Sequence, residues 1–302
     1  MPDMINDVVH FAPTVAVAAA IGAPDEYRTA PSPHEGGGPI ATLQRKVSSR
    51  LARHVALQRR RLFNRRPMVS FTFDDAAASA GATGAERLEK VDGRATYYIA
   101  SGLTAQNAAG YSVIDRDRVR ELHLGGHEIG LHGHAHRAVG ALSSKEFHDD
   151  LQENREWLEA IHEGIRPSNF AYPYGLASFA RKRQLGALVT SSRSVTPGIN
   201  VGDFDPQFLR CVELADQRLT PARLAFFLDN TARSSGWLIF CSHDIAENPT
   251  PFGCTTSLFQ RALDEVAARN VEIVTIAVAL ERSHPVHGRM RLPDAATGSK
   301  AS

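Results

Sequence analysis

The sequence predicts an α/β fold whose parallel sheet closes into a barrel. Three observations carry this. Strand-length apolar runs alternate with helix-length segments from Pro67 onward, which implies parallel strands joined by right-handed crossovers. About seven such repeats are more than a small open sheet needs. And four of the apolar runs end in polar or ionisable residues, as strands do when they present a site on one rim of a barrel.

The elements follow in order. Val69–Phe73 ("VSFTF") has four β-branched or aromatic residues out of five and reads as the first strand. Ala80–Lys90 reads as helix, Arg94–Ala100 ("RATYYIA") as strand, Asp115–Leu124 as helix and His127–Leu131 ("HEIGL") as a short strand. Ser143–Glu163 reads as a long helix with Ser143 or Ser144 as N-cap and Glu146 in capping-box range. "NFAYP" is a strand, Leu176–Leu185 a helix and "GALVTSS" a strand. Thr220–Arg233 is a helix capped by Thr220, with Pro221 at its first position. "WLIFCSH" is a strand, Ser257–Arg269 a helix and "VEIVTIA" the last strand.

Before this alternation come residues 1–40, read as a flexible leader, and 41–66, read as a basic helical extension. The leader's apolar run follows Asp3 and Asp7 with no Lys or Arg before it, unlike a secretory signal. The expectation is a leader that is not cleaved and a cytoplasmic location. The extension places Leu43, Val47, Leu51, Val55 and Leu62 near helical spacing. We expect its apolar stripe to pack on the domain with the basic face in solvent. The competing expectation is a helix lying on an anionic membrane surface or on an acidic polymer. Residues 284–302 read as a disordered tail.

Composition excludes little else. The 302 residues are 43% hydrophobic and 22% charged, ordinary for a globular protein. A formal net charge of +1 gives no global argument for nucleic acid. Three cysteines, Cys211, Cys241 and Cys254, form no CxxC pair and read as buried thiols rather than a disulfide framework. No apolar stretch reaches the length of a transmembrane helix. The oligomeric state is not readable.

The strand-end residues suggest chemistry. Asp74 and Asp75 follow the first strand, His132, His134 and His136 follow "HEIGL", Tyr172 and Tyr174 follow "NFA", and His243 and Asp244 follow "WLIFCS". Two histidines and a carboxylate form a common three-ligand set for a catalytic Zn²⁺. His132 and His136 are four apart and share a face of a helical turn. In an extended segment all three histidines would share a face, so spacing alone leaves the pair open. One Asp on a cation leaves the other free as a general base. His243, with a pKa near working pH, suits a proton donor. His127 reads as structural. The set describes a metal-assisted hydrolase.

The segments "TFDD", "HEIGLHGHAH", "AYPYG" and "FCSHD" resemble, in order and spacing, the polysaccharide deacetylases with a NodB homology domain, carbohydrate esterase family 4. The downstream "SHDIAENPTPFGCT" resembles the bacterial subgroup that modifies exopolysaccharides or holdfast-like adhesins. The resemblance implies a distorted (β/α)7 barrel over residues 67–283 and hydrolysis of N-acetyl groups on N-acetylhexosamine units of a glycan. It assigns Asp74 as base, Asp75, His132 and His136 as metal ligands and His243 as general acid. The Tyr174 backbone N–H becomes an oxyanion donor, while Tyr172 and Trp237 pack. The donor set suits Zn²⁺ and also admits Co²⁺ or Mn²⁺. Three features depart from the family. Gly133 stands where Ser or Thr is usual. Ala171 stands where an Arg orients the base, leaving Arg193 or Arg210 as candidate substitutes. And "SSRSVTPGIN" replaces the usual Asp–Trp motif behind the acid, with Asp244 as a candidate neighbour or as a cap for its own loop. Alternatives are deacylation of an O-acetyl ester or sugar formamide, and a catalytically degenerate glycan-binding barrel. The partners expected are the glycan and a peripheral membrane contact through 45–66, with no nucleic acid.

Overall fold

The computed structural model describes residues 39–108 and 110–286, all within one compact unit. The leader lies outside the described residues apart from 39 and 40, as does the tail from 287 on.

Eight parallel strands form the sheet: β1 (Met68–Asp74), β2 (Thr96–Ile99), β3 (Glu128–Leu131), β4 (Asn169–Ala171), β5 (Ser191–Arg193), β6 (Val212–Glu213), β7 (Trp237–Ser242) and β8 (Glu272–Ile273). Seven lie in the order β6-β7-β1-β2-β3-β4-β5, and β8 pairs with the start of β1. The sheet curls. A bridge between Arg193 and Leu209 joins its two ends, with Leu209 N–H donating to Ser192 O and Ser194 N–H to Leu209 O. This is the distorted (β/α)7 barrel expected of the family.

Strand pleat sorts the side chains. Val69, Phe71 and Phe73 of β1, with Leu238 and Phe240 of β7, pack outward beneath the helices. Met68 of β1, with Trp237, Ile239 and Cys241 of β7, points into the lumen together with Tyr98 and Ala171. The same parity turns Asp74, six residues after Met68, inward. The register pairs Asp74 with Tyr98 and Ala171 with Arg193, so these side chains share the lumen near the strands' C-terminal ends.

Helices cover the outside: α1 (Pro39–His54), α2 (Ala85–Glu89), α3 (Arg116–Leu124), α4 (Ser144–Glu159), α5 (Phe179–Leu185), α6 (Pro221–Ser234), α7 (Thr256–Ala268) and α8 (Ile276–Glu281). The capping box at α4 forms as expected, with Ser143 and Glu146 exchanging hydrogen bonds. Thr220 caps α6, with Pro221 in its first turn.

Three expectations are corrected. "GALVTSS" is mostly the turn closing α5, and the strand is only Ser191–Arg193. Val189 packs in the core, but from a turn, so burial and not sheet pairing explains the apolar run. "VEIVTIA" is two residues of strand followed by α8. Thr275 caps that helix, and it diverts the chain. The basic extension is helical only to His54, and Arg60–Leu62 pairs antiparallel with Ser283–Pro285 and Asp203–Phe204.

The packing of α1 also reverses the expectation. Its small-residue face meets α5: Ala52 is buried, and the Ser48 hydroxyl accepts from Phe179 N–H and lies 3.3 Å from Ser178 Oγ. Buried Lys182 donates to the carbonyls of Ala52 and Val55 at the end of α1 and pairs with Asp205 at 2.7 Å. With that face pinned down, Leu43, Val47 and Leu51 point into solvent at 62%, 50% and 42% exposure.

Candidate active site

Asp74 ends β1 and is buried. Arg193 Nη2 donates to its Oδ1. Arg193 is itself fully buried against the Tyr98 ring, and Nη1 also donates to Ser194 O at 3.2 Å. Burial alone pushes the Asp74 carboxyl up, but Arg193, with His132 and His243, outweighs it and lowers the pKa below the ordinary value. The hydrogen-bond neighbour of Oδ2 among the described residues is the Cys241 thiol, 4.0 Å away. Of the two candidate arginines, Arg193 is the one that reaches Asp74. Arg210 does not: it is exposed and donates to Pro197 O.

Asp75 leaves the strand in a left-handed conformation, φ 56°, which swings its carboxylate toward the next loop. Its Oδ1 lies 3.5 Å from His132 Nε2 and 3.2 Å from His136 Nε2, and Oδ2 accepts from Tyr111 Oη at 3.1 Å. Oδ1 is buried and accepts no hydrogen bond among the described residues. Such an atom is costly unless a cation completes it. His132 Nδ1 contacts Ala171 O at 2.9 Å as donor, which leaves Nε2 with its lone pair toward Asp75. Burial pushes His136 down to about 4, against the pull of Asp75, so it is neutral at pH 7. Ligand atoms of the three residues lie within 4.8 Å of one another. Bonds of 2.0–2.2 Å in a tetrahedron put ligand atoms roughly 3.4 Å apart, close to the two spacings seen. The residues fit a divalent cation.

His134 lies apart from this group: its Nδ1 meets Ser101 Oγ and its Nε2 meets Glu153. The loop is neither helix nor strand. It is held from α4, where the Asp150 carboxylate accepts from His134 N–H and Ala135 N–H, and Asn154 accepts from His132 N–H at 3.0 Å. Gly133 has φ +77°, and a Cβ there would lie 2.7 Å from Asp150 Oδ2. The glycine gives up a hydroxyl and admits a carboxylate that anchors the turn.

His243 follows β7, and its charge acts on both Asp74 and Asp75. Its buried Nδ1 has no hydrogen-bond partner among the described residues. Asp244 is not that partner. It accepts from Thr250 N–H and Thr250 Oγ1 and ties its own loop. Tyr174, at φ 58°, sets its ring 4.6 Å from that of His136, tilted by 53°. Gly175 beside it, at φ +66°, has Val195 where a Cβ would be, 2.1 Å away. Tyr172 and Trp237 are buried, as expected, with partners in Gln207 O and Ser70 Oγ. His127 is buried between Ala95 N–H and Glu89. Among the described residues, four of the eight non-glycine residues with positive φ are Asp75, Ala76, His136 and Tyr174, so backbone strain collects here. Sequence reasoning missed Tyr111, Asp150 and Asn154. Asp150 and Asn154 act from α4 and Tyr111 from a separate segment, and no motif spacing flags them.

Comparison with known proteins agrees with this geometry. The polysaccharide deacetylase family model matches residues 63–187. A chitin deacetylase from Colletotrichum lindemuthianum is 24% identical over 213 residues, spanning 70% of this chain and 79% of the relative. A solved structure of the chitin deacetylase from Colletotrichum lindemuthianum superposes with a TM-score of 0.52 at 20% identity, covering 72% of this chain and 89% of that one. A putative polysaccharide deacetylase from Mycobacterium smegmatis gives a TM-score of 0.54 at 16% identity, covering 72% and 91%. A family 4 acetyl xylan esterase from Clostridium thermocellum, solved with cobalt, gives 0.50 at 19%, covering 71% and 90%. The chain is similar to the polysaccharide deacetylases in sequence over residues 63–187 and shares the fold of the carbohydrate esterase family 4 structures.

Proposed function

We propose that the protein hydrolyses N-acetyl groups from N-acetylhexosamine units of a bacterial exopolysaccharide or its precursor. The observation that carries this is the unpartnered Asp75 Oδ1 facing two imidazole nitrogens, beside a second aspartate already paired with Arg193. Asp75, His132 and His136 would hold the cation. When bound, a divalent ion, Zn²⁺ by its donor set, supplies Lewis acidity to the amide carbonyl and acidifies water. Arg193 fixes Oδ1 of Asp74 and leaves Oδ2 to take a proton from the attacking water. Water adds across the amide C–N bond, and His243 delivers a proton to the departing amine. Acetate and a free hexosamine amine result. The Tyr174 N–H is the proposed donor to the oxygen that gains charge as the carbonyl is attacked.

Two of the three departures from the family pattern are offset, Ala171 by Arg193 and Gly133 by Asp150, while His243 Nδ1 has no partner among the described residues in place of the usual Asp–Trp motif. The test is acetate release from a panel of N-acetylglucosamine oligomers and matched O-acetylated sugars, with metal content measured on the same sample. Chelator-sensitive release from the amide substrates is expected. Release from esters alone would reassign the substrate, and none from either would make the barrel a binding protein.

A further inference from the structure

We propose that α1 is a membrane-docking helix whose exposed face lies on an anionic bilayer surface. Its 16 residues run about 24 Å. Leu43, Val47 and Leu51 form one outward stripe, and exposed Lys46, Arg50 and Arg53 flank it on one side at helical spacing. From 41 to 67 the chain carries nine Lys and Arg residues and no acid. Among the described residues, none of Lys46, Arg50 and Arg53 has an ion-pair partner.

The face is held in place. Ser48 and Ala52 sit on α5, and Lys182 locks the helix end through two carbonyls. Rolling the apolar stripe inward would break all of these.

Charge decides the occupant. A second copy of this face would bring Lys46, Arg50 and Arg53 against an identical cationic set. An acidic polymer would meet the cations but leave the leucines in water. A bilayer with acidic headgroups supplies both anionic and apolar surface. The docked helix would hold the active-site mouth near that surface. A groove of about 790 Å³ runs between α1 and Ala138, Gly140 and Leu176–Ser178, the segments just after His136 and Tyr174.

The proposal does not depend on the deacetylase reading, because its test reads partition. Full-length protein is sedimented with phosphatidylcholine vesicles with and without phosphatidylglycerol. Binding to the anionic vesicles alone, weakened by salt, is expected. Val47→Asp/Leu51→Asp should lose it, and Lys46→Gln/Arg50→Gln should weaken it roughly 25-fold, at about fivefold per charge. Thermal melting and far-UV circular dichroism, unchanged in both variants, show that the fold is intact. No binding to anionic vesicles overturns the proposal. So does binding unchanged in the variants, or a vesicle-free dimer that Val47→Asp/Leu51→Asp dissociates.

Discussion

Asp74 and Asp75 are adjacent in sequence and opposite in environment. One points into the lumen against a buried guanidinium, and the other turns through a left-handed residue toward two imidazoles. Removing one partner of a buried ion pair leaves the other charge stranded. Arg193→Gln is therefore expected to cost on the order of 3–5 kcal/mol in urea denaturation. It should also raise the Asp74 pKa and move the acid limb of kcat/KM to higher pH. Because the folded pKa of Asp74 is lowered, the pair's stabilisation is present above the unfolded aspartate pKa. It is lost as pH falls through the folded value, and Arg193→Gln should flatten that acid-side loss. The sequence narrowed the substitute for the missing arginine to Arg193 or Arg210. Only the β4–β5 register, pairing Ala171 with Arg193, decides between them.

At the scale of elements, the histidine loop and α1 are both fixed by carboxylates or cations reaching from a neighbouring helix. Gly133→Ser is expected to destabilise by about 1–3 kcal/mol, since it adds a Cβ against Asp150 and forces a side chain into left-handed φ. Metal affinity, measured by competition with a chelator, should fall with it. Lys182→Met should leave two carbonyls unpaired and take the cation from Asp205, which keeps the Leu57 and Gln207 N–H donors, costing about 3 kcal/mol. Limited proteolysis should then cut α1 first. Long amphipathic helices and buried strands were legible because periodicity and caps are local: α4, α6, β1 and β7 fall where their patterns place them. The seating of α1 was not legible, since Ser48 and Ala52 approach α5 for reasons of close fit and hydrogen bonding, which hydropathy does not report. Strands of two or three residues, β5, β6 and β8, leave too little sequence to carry a period.

For the whole molecule, a parallel barrel gathers residues far apart in the chain at one rim. The strand ends legible in the sequence carry Asp75, His132 and His136, which the structure brings within 4.8 Å of one another, while Tyr111, Asp150 and Asn154 around them carried no motif. A site that binds its cation only when folded links metal to stability. At a free metal concentration of about 100 Kd the gain is about 2.7 kcal/mol, or a Tm rise of roughly 5–10 °C for a domain of this size. Chelation should remove that rise in wild type and change little in Asp75→Asn. The most direct test of the central claim, that the two aspartates divide base and ligand between them, measures bound metal and acetate release together on Asp74→Asn and Asp75→Asn. The expected result is full metal with turnover lost in Asp74→Asn, and metal lost in Asp75→Asn. Metal lost in Asp74→Asn but kept in Asp75→Asn, or turnover surviving in Asp74→Asn, would contradict it.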